Sequence, residues 1–210
     1  MTKTIKYHYS HWGPFLFNTS LESEELKKIK KLCSKKSKDY RQNLAGLIRN
    51  EYVVDAKKLF PIIYPYVKSY LEAYSSYALK PIGNKIELLG SWVNYMTKFE
   101  SNPYHTHDDD LSFVIYTEIP KDLEQEVKNT VGNVRPGTVN FMYTLGIEKY
   151  NLNQHSFMPQ TGDFFIFPAS LHHSVNPFQS EGERVSISGN IKITFDPDSA
   201  SQLKYKHPLT

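Results

Sequence analysis

Four of the eight histidines of this 210-residue chain fall in two short segments. His105 and His107 lie in Asn102-Pro-Tyr-His-Thr-His-Asp-Asp-Asp-Leu-Ser112, and His172 and His173 in Phe167-Pro-Ala-Ser-Leu-His-His-Ser-Val175. On extended backbone, residues two apart point the same way. Either His105 with His107, or His107 with Asp109, therefore presents two ligand atoms to one side. His172 and His173 are adjacent and cannot both face inward, and Val175 continues the face of His173, so His173 is the expected third ligand. Imidazole and carboxylate groups suit zinc, iron, nickel or manganese, and three protein ligands with open positions are the arrangement of mononuclear non-haem iron sites.

Eleven residues beyond His173, Arg184 opens the run Arg-Val-Ser-Ile-Ser-Gly-Asn-Ile-Lys-Ile-Thr-Phe195. Arg184, Ser186, Ser188 and Asn190 share one face of a strand, while Val185, Ile187, Ile191, Ile193 and Phe195 share the other. Such a strand either wets its polar face or lines a cavity with it. In a cavity, Arg184 offers a planar, permanently charged fork for a carboxylate, and Ser186 can donate to the same anion. A metal beside a carboxylate clamp points to a chelating oxo-acid as co-substrate.

The elements that must position these groups follow from periodicity. Helical spacing of Leu26, Ile29, Leu32 and Cys33, behind a Thr19-x-x-Glu22 capping box, predicts a helix from Thr19 to Lys36. A second helical pattern runs from Asp55 to Tyr77, with Pro61 and Pro65 expected to split it or delay its start. After Asn84 the period falls to two. Ile86 to Leu89, Ser91 to Met96, Leu111 to Ile119, Thr138 to Thr144, Ser156 to Met158, Asp163 to Phe167, His173 to Asn176 and Arg184 to Phe195 read as strands. Eight strands without intervening long helices predict an all-β core of antiparallel barrel or jelly-roll type, with the helices over one outer face. The chain is expected to form one domain: a mainly helical support in 1–83, the β core in 84–196 and a tail in 197–210. The mouth would be built by Pro120 to Pro136 and Leu145 to Gln160.

Composition narrows the function classes. With 25 Lys and Arg against 22 Asp and Glu, the net charge of +3 is too small to argue for nucleic acid or an anionic membrane. The Lys-rich run from Lys27 to Lys36 reads as a solvated helix face, preceded by Glu22, Glu24 and Glu25 that complement the helix dipole. The single cysteine, Cys33, excludes an intrachain disulfide and a Cys-based zinc site, and fits a reducing cytoplasm. No apolar run reaches the ~20 residues of a membrane span, and the N-terminus lacks the pattern of a secretory signal. A cytoplasmic protein is expected, in the host's cytoplasm if a phage encodes it.

In order and spacing, Asn102-Pro103, His105-x-His107, Ser112-Phe-Val-Ile-Tyr116, Gly162-Asp163, Phe167-Pro168, His173-Ser-Val175 and Arg184-x-Ser186-x-Ser188-x-Asn190 resemble the iron(II)- and 2-oxoglutarate-dependent oxygenase superfamily. The closer resemblance is to a branch found in bacteria and phages, shared less specifically by Trp12-Gly-Pro14 and Leu44-Ala-Gly46. It implies a double-stranded β-helix holding Fe(II) through His105, His107 and His173, with Asp109 as the alternative to His105. It further implies 2-oxoglutarate chelating the metal, its distal carboxylate on Arg184 and Ser186. The implied reaction is hydroxylation of a substrate C–H with release of succinate and carbon dioxide. The departure is the first pair, where the superfamily usually has His-x-Asp or His-x-Glu; Asp110 is a candidate to orient an imidazole. Two other readings share the metal residues: a cupin-like metalloenzyme without 2-oxoglutarate, and a non-catalytic jelly-roll binding or structural protein. Nothing in the mouth segments specifies a primary substrate or an oligomeric state.

Overall fold

The computed structural model describes residues 13–43, 45–78, 83–143 and 153–195. Two antiparallel sheets face each other. The larger runs in the order β1 (Phe17–Ser20), β8 (Asp163–Pro168), β5 (Leu111–Glu118), β10 (Arg184–Thr194), β3 (Lys85–Met96), β2 (Glu51–Val53). The smaller runs β4 (Asn102–His105), β9 (His172–Val175), β6 (Val139–Met142), β7 (Gln154–Phe157). Alternation sorts each strand of the larger sheet into two faces. Phe164 and Ile166 of β8, Phe113 and Ile115 of β5, Val185 and Ile187 of β10 and Val93 of β3 point outward into one core cluster. Phe165, Phe167 and Tyr116 point inward, against Val139, Phe141 and Leu171 of the smaller sheet and its flanks. This sandwich is the core of the expected double-stranded β-helix.

The outward face is covered by α2 (Ala56–Ala78), whose Leu59, Ile63, Val67 and Tyr70 are buried on it. The helix starts where Asp55 Oδ1 accepts the Lys57 amide at 3.0 Å. Pro61 and Pro65 do not split it. Both lie on the exposed face, so the carbonyls they leave unpaired one turn earlier turn to water rather than into the core.

The first helix is shorter than its periodicity predicts. Thr19 belongs to β1, paired with Phe164 at the edge of the larger sheet, so α1 begins only at Ser23 and ends at Lys30. The capping contact is made by Glu25, whose Oε2 accepts the Glu22 amide, and not by Thr19. Cys33 lies past the helix and donates its thiol to Ile29 O at 3.8 Å.

Ile86–Leu89 and Ser91–Met96 form one strand, β3. Its register against β10 slips between the Asn190–Gly90 and Ile191–Leu88 pairs, leaving Leu89 unpaired in a β-bulge. The bulge reverses the alternation, so Leu88 and Ile86 reach the same outer cluster as Val93 despite their opposite parity. Three short strands, β1, β2 and β4, join the seven that the eight periodic segments form, and α3 (Leu123–Asn129) occupies part of the 120–136 segment. The 197–210 tail, Leu44, Trp12 and the first half of the Leu145 to Gln160 segment, 145–152, lie outside the described residues.

Candidate metal centre

Three elements bring the histidines together. His105 ends β4 and is the cross-strand partner of His173 on β9, so the two imidazoles rise side by side, ring centroids 4.2 Å apart. His107 lies just past β4. Its amide donates to Ala169 O at 2.9 Å, and the Ala169 amide donates to Asp110 O at 3.1 Å. This pair of bonds ties the loop after β4 to the turn between β8 and β9 and places the His107 ring 5.2 Å from that of His173. One ligand atom from each of His105, His107 and His173 lies within 4.8 Å of the others.

The protonation pattern fits a metal. His105 Nδ1 faces Pro103 O at 2.8 Å and His173 Nδ1 faces Leu171 O at 2.9 Å. A carbonyl only accepts, so each Nδ1 carries the proton and each Nε2 keeps a free lone pair. Such second bonds also fix ring orientation, as in built metal sites. Burial pulls all three imidazoles below their ordinary range, His107 to about 4 and His173 to about 3, with mutual repulsion adding to it. At neutral pH all three are uncharged and able to ligate.

The remaining histidine-segment residues fall elsewhere. His172 follows the opposite face of β9 and is not in the group. Asp109 is not part of it either. Asp110 does not orient an imidazole: its carboxylate accepts the Ile193 amide at 2.8 Å and pairs with Lys192 at 3.2 Å, clamping the far end of β10.

The triad opens on a cavity of about 130 Å³ between the sheets, lined also by Arg184, Ser186 and Tyr116. Arg184 is 2% exposed, donates from Nη1 to Gly137 O at 3.0 Å, and lies 5.5 Å from the centre of the Tyr116 ring. Its Nε has no partner among the described residues. Burial draws its pKa below the ordinary guanidinium value, partly offset by Tyr116, and arginine stays cationic across the physiological range. A buried cation with an unused donor, lining the cavity together with Ser186, is able to receive an anion that the described residues do not supply.

Two polar cavity residues escaped the motif reading, Glu51 and Asn94, and Asn102 was read only as part of the Asn102-Pro103 motif, without a role of its own. A signal existed for Asn94, which alternates with Val93 and Tyr95 in a run otherwise apolar. Strand β2 is three residues long and has no period to read, so Glu51 is visible only once paired with β3.

Residues 90–190 match the protein family described as "Putative 2OG-Fe(II) oxygenase". That segment runs from the bulge of β3 to Asn190 of β10 and contains all three imidazoles, Arg184 and Ser186. Solved structures of the same fold include the viral collagen prolyl hydroxylase of Paramecium bursaria Chlorella virus-1 as its 2OG complex. It is 14% identical, with a TM-score of 0.53 over 85% of this chain and 96% of that one. A prolyl-4-hydroxylase from Pseudomonas putida is similar at 14% identity, TM-score 0.53, 85% of this chain and 92% of that chain. HygX from Streptomyces hygroscopicus, with nickel, 2-oxoglutarate and hygromycin B bound, is similar at 11% identity, TM-score 0.50, 93% and 91%. No curated protein sequence matches the chain. In its fold, and over residues 90–190, the chain is thus similar to iron(II)- and 2-oxoglutarate-dependent oxygenases.

Proposed function

We propose that the chain holds Fe(II) through His105, His107 and His173 and binds the distal carboxylate of 2-oxoglutarate on Arg184 and Ser186, and that it hydroxylates a C–H bond of a second substrate. The observation that carries this reading is the joining, in one cavity, of a neutral three-imidazole group and a buried guanidinium with a free donor. When bound, iron supplies a redox centre with open positions for the keto acid and dioxygen. The balanced outcome is R–H + O2 + 2-oxoglutarate giving R–OH + succinate + CO2.

The chain's own residues prepare that outcome. Pro103 O and Leu171 O hold two imidazoles in the tautomer that ligates. Gly137 O and the Tyr116 ring fix the Arg184 fork before an anion arrives, so little ordering is left for the binding step. Phe167 and Val139 wall the cavity and lower its dielectric, which strengthens the Arg184 contact. Packing of α1 and α2 on the outer sheet face supports reading the chain, 1–210, as one domain, and the lone half-buried Cys33 supports a reducing, cytoplasmic setting. Among the described residues no helix is long and apolar enough to cross a membrane.

Ligand variants test the metal assignment. His173→Ala should weaken Fe(II) by more than about a hundredfold, beyond what loss of an outer partner costs. His105→Ala should do likewise, while Asp109→Ala keeps iron at about one per chain in equilibrium dialysis. Full occupancy in His173→Ala, or loss in Asp109→Ala, contradicts the assigned triad.

A further inference from the structure

The cavity carries polar atoms that the metal and the 2-oxoglutarate clamp leave unused. Among the described residues, the buried side-chain atoms without a hydrogen-bond partner are Glu51 Oε2, Asn94 Oδ1, Asn102 Oδ1 and Arg184 Nε. All four residues line this one cavity. Arg184 Nε is the unused donor described above; the other three atoms are acceptors. Orphaned buried acceptors cost stability, and folded proteins keep them where a ligand completes the pairing.

Register places them. Glu51 on β2 is the direct partner of Asn94 on β3, and Asn94 is the direct partner of Ser186 on β10. Directly opposed residues share a face, so the three form one row across the cavity wall. Two strand spacings put Glu51 roughly 10 Å from Ser186, out of reach of a carboxylate held there. Asn102 approaches from the other sheet, on the strand that ends in His105. The segment 45–48 packs onto it so closely that a Cβ on Gly46 would sit 2.6 Å from Asn102 Oδ1. Glu51 thus lies apart from the Arg184 cradle, Asn94 stands between the two, and Asn102 lies on the strand of His105.

The charge of the missing partner follows. Glu51 is 1% exposed, and among the described residues no lysine or arginine forms an ion pair with it. Burial, with Asp39 adding to it, pushes its carboxyl up to about 8, as for an acid held without a counter-charge. A group that brings several N–H donors and a positive charge satisfies the carboxylate and both amide oxygens together.

We propose that Glu51, Asn94 and Asn102 form the primary-substrate subsite and that it receives a cationic nitrogen group, an ammonium or a guanidinium. This rests on the oxygenase reading and adds the substrate class to it. The acceptor row then orients the substrate, with its reacting carbon toward the histidines and its charge on Glu51.

The test uses agmatine and n-butylamine as probes and 1-pentanol as an uncharged match. Each is titrated calorimetrically into anaerobic Fe(II)-loaded protein with 2-oxoglutarate present. The parent should bind the amines at least about tenfold tighter than the alcohol. Glu51→Gln should remove that preference while changing 2-oxoglutarate affinity less than about threefold. Its melting temperature without ligands should equal or exceed the parent's, because an unpaired buried acid is gone; Asn94→Ala should weaken the amines several-fold as a second, independent variant. Amine binding untouched by Glu51→Gln, or no preference for amine over alcohol with 2-oxoglutarate still bound, overturns the subsite and leaves the oxygenase reading standing. Loss of 2-oxoglutarate affinity in Glu51→Gln reassigns the residue to the co-substrate and also overturns it. A parent that takes up no 2-oxoglutarate removes the reading on which the inference rests.

Discussion

Glu51 and the three histidines are opposite cases of one rule, in that burial favours the uncharged form of each. For the histidines the neutral form is the ligating one, and for Glu51 it is a carboxyl waiting for a counter-charge. The two leave different marks on stability. The folded protein holds the Glu51 proton up to about pH 8, whereas the unfolded chain releases it near the ordinary value of 4.5. That contribution is present at low pH and is lost as pH rises through 8. The histidines, pulled down in the folded state, penalise folding only below about 6.5, where the unfolded chain protonates. Between pH 6.5 and 8 the metal-free protein should therefore lose stability as pH rises, by at most about 1.4 kcal/mol per pH unit for one proton. Urea midpoints should show that slope in the parent and not in Glu51→Gln; equal slopes would mean that Glu51 is ionised in the fold. At this scale much of the candidate site was legible. His105 with His107, and Arg184 with Ser186, each follow from a spacing of two on extended backbone. Glu51 was not, and Asn102 was visible only as a motif residue, because what sets both apart is the lack of a partner, a property that arises only on folding.

At the scale of elements, strands with an inward and an outward face were readable, and those shaped by their neighbours were not. Strand β10 shows the alternation most clearly, with Val185, Ile187 and Ile191 buried against the helix layer and Arg184, Ser186 and Ser188 on the cavity. Strand β3 reads as two pieces because the bulge at Leu89 inverts its period midway. Gly189 marks the same tight crossing: a Cβ there would lie 2.6 Å from Gly90 O and 2.7 Å from the Phe113 ring. Strands β1, β2 and β4 have three or four residues each, too few for a period, and they exist through pairing alone. The error at α2 was physical. Proline inside a helix costs about 3 kcal/mol, yet four buried residues on the opposite face outweigh two such losses. Pro65→Ala should restore the bond to Pro61 O and raise stability by about 1–2 kcal/mol, the proline cost less the chain entropy that proline removes. A lower urea midpoint for Pro65→Ala would mean that the helix is shaped around its prolines.

The whole molecule divides labour between the two faces of one sheet. The outer face takes the helices and most of the apolar core, which frees the inner face to carry an arginine, serines and asparagines that a one-layer protein could not bury. The second sheet closes over that polar face and brings the histidines with it, so the fold that encloses the three imidazoles also encloses Arg184 and Ser186. The fold class was legible from eight strands and two helical patterns. The pairing order was not, since strands distant in sequence, such as β1 and β8 or β4 and β9, meet only through the closed topology. The central claim, that one cavity takes both iron and a keto acid held by Arg184, is tested most directly by titrating 2-oxoglutarate into anaerobic Fe(II)-protein and following the absorption that keto-acid chelation gives the metal. The parent should saturate. Arg184→Ala should bind at least about thirtyfold more weakly, the lower end of a roughly 2–5 kcal/mol loss for an unpaired buried charge, with iron affinity little changed and Arg184→Lys recovering only part. An unaltered titration in Arg184→Ala, or no 2-oxoglutarate uptake by iron-loaded parent, would contradict the account and leave a metal-binding barrel of another kind.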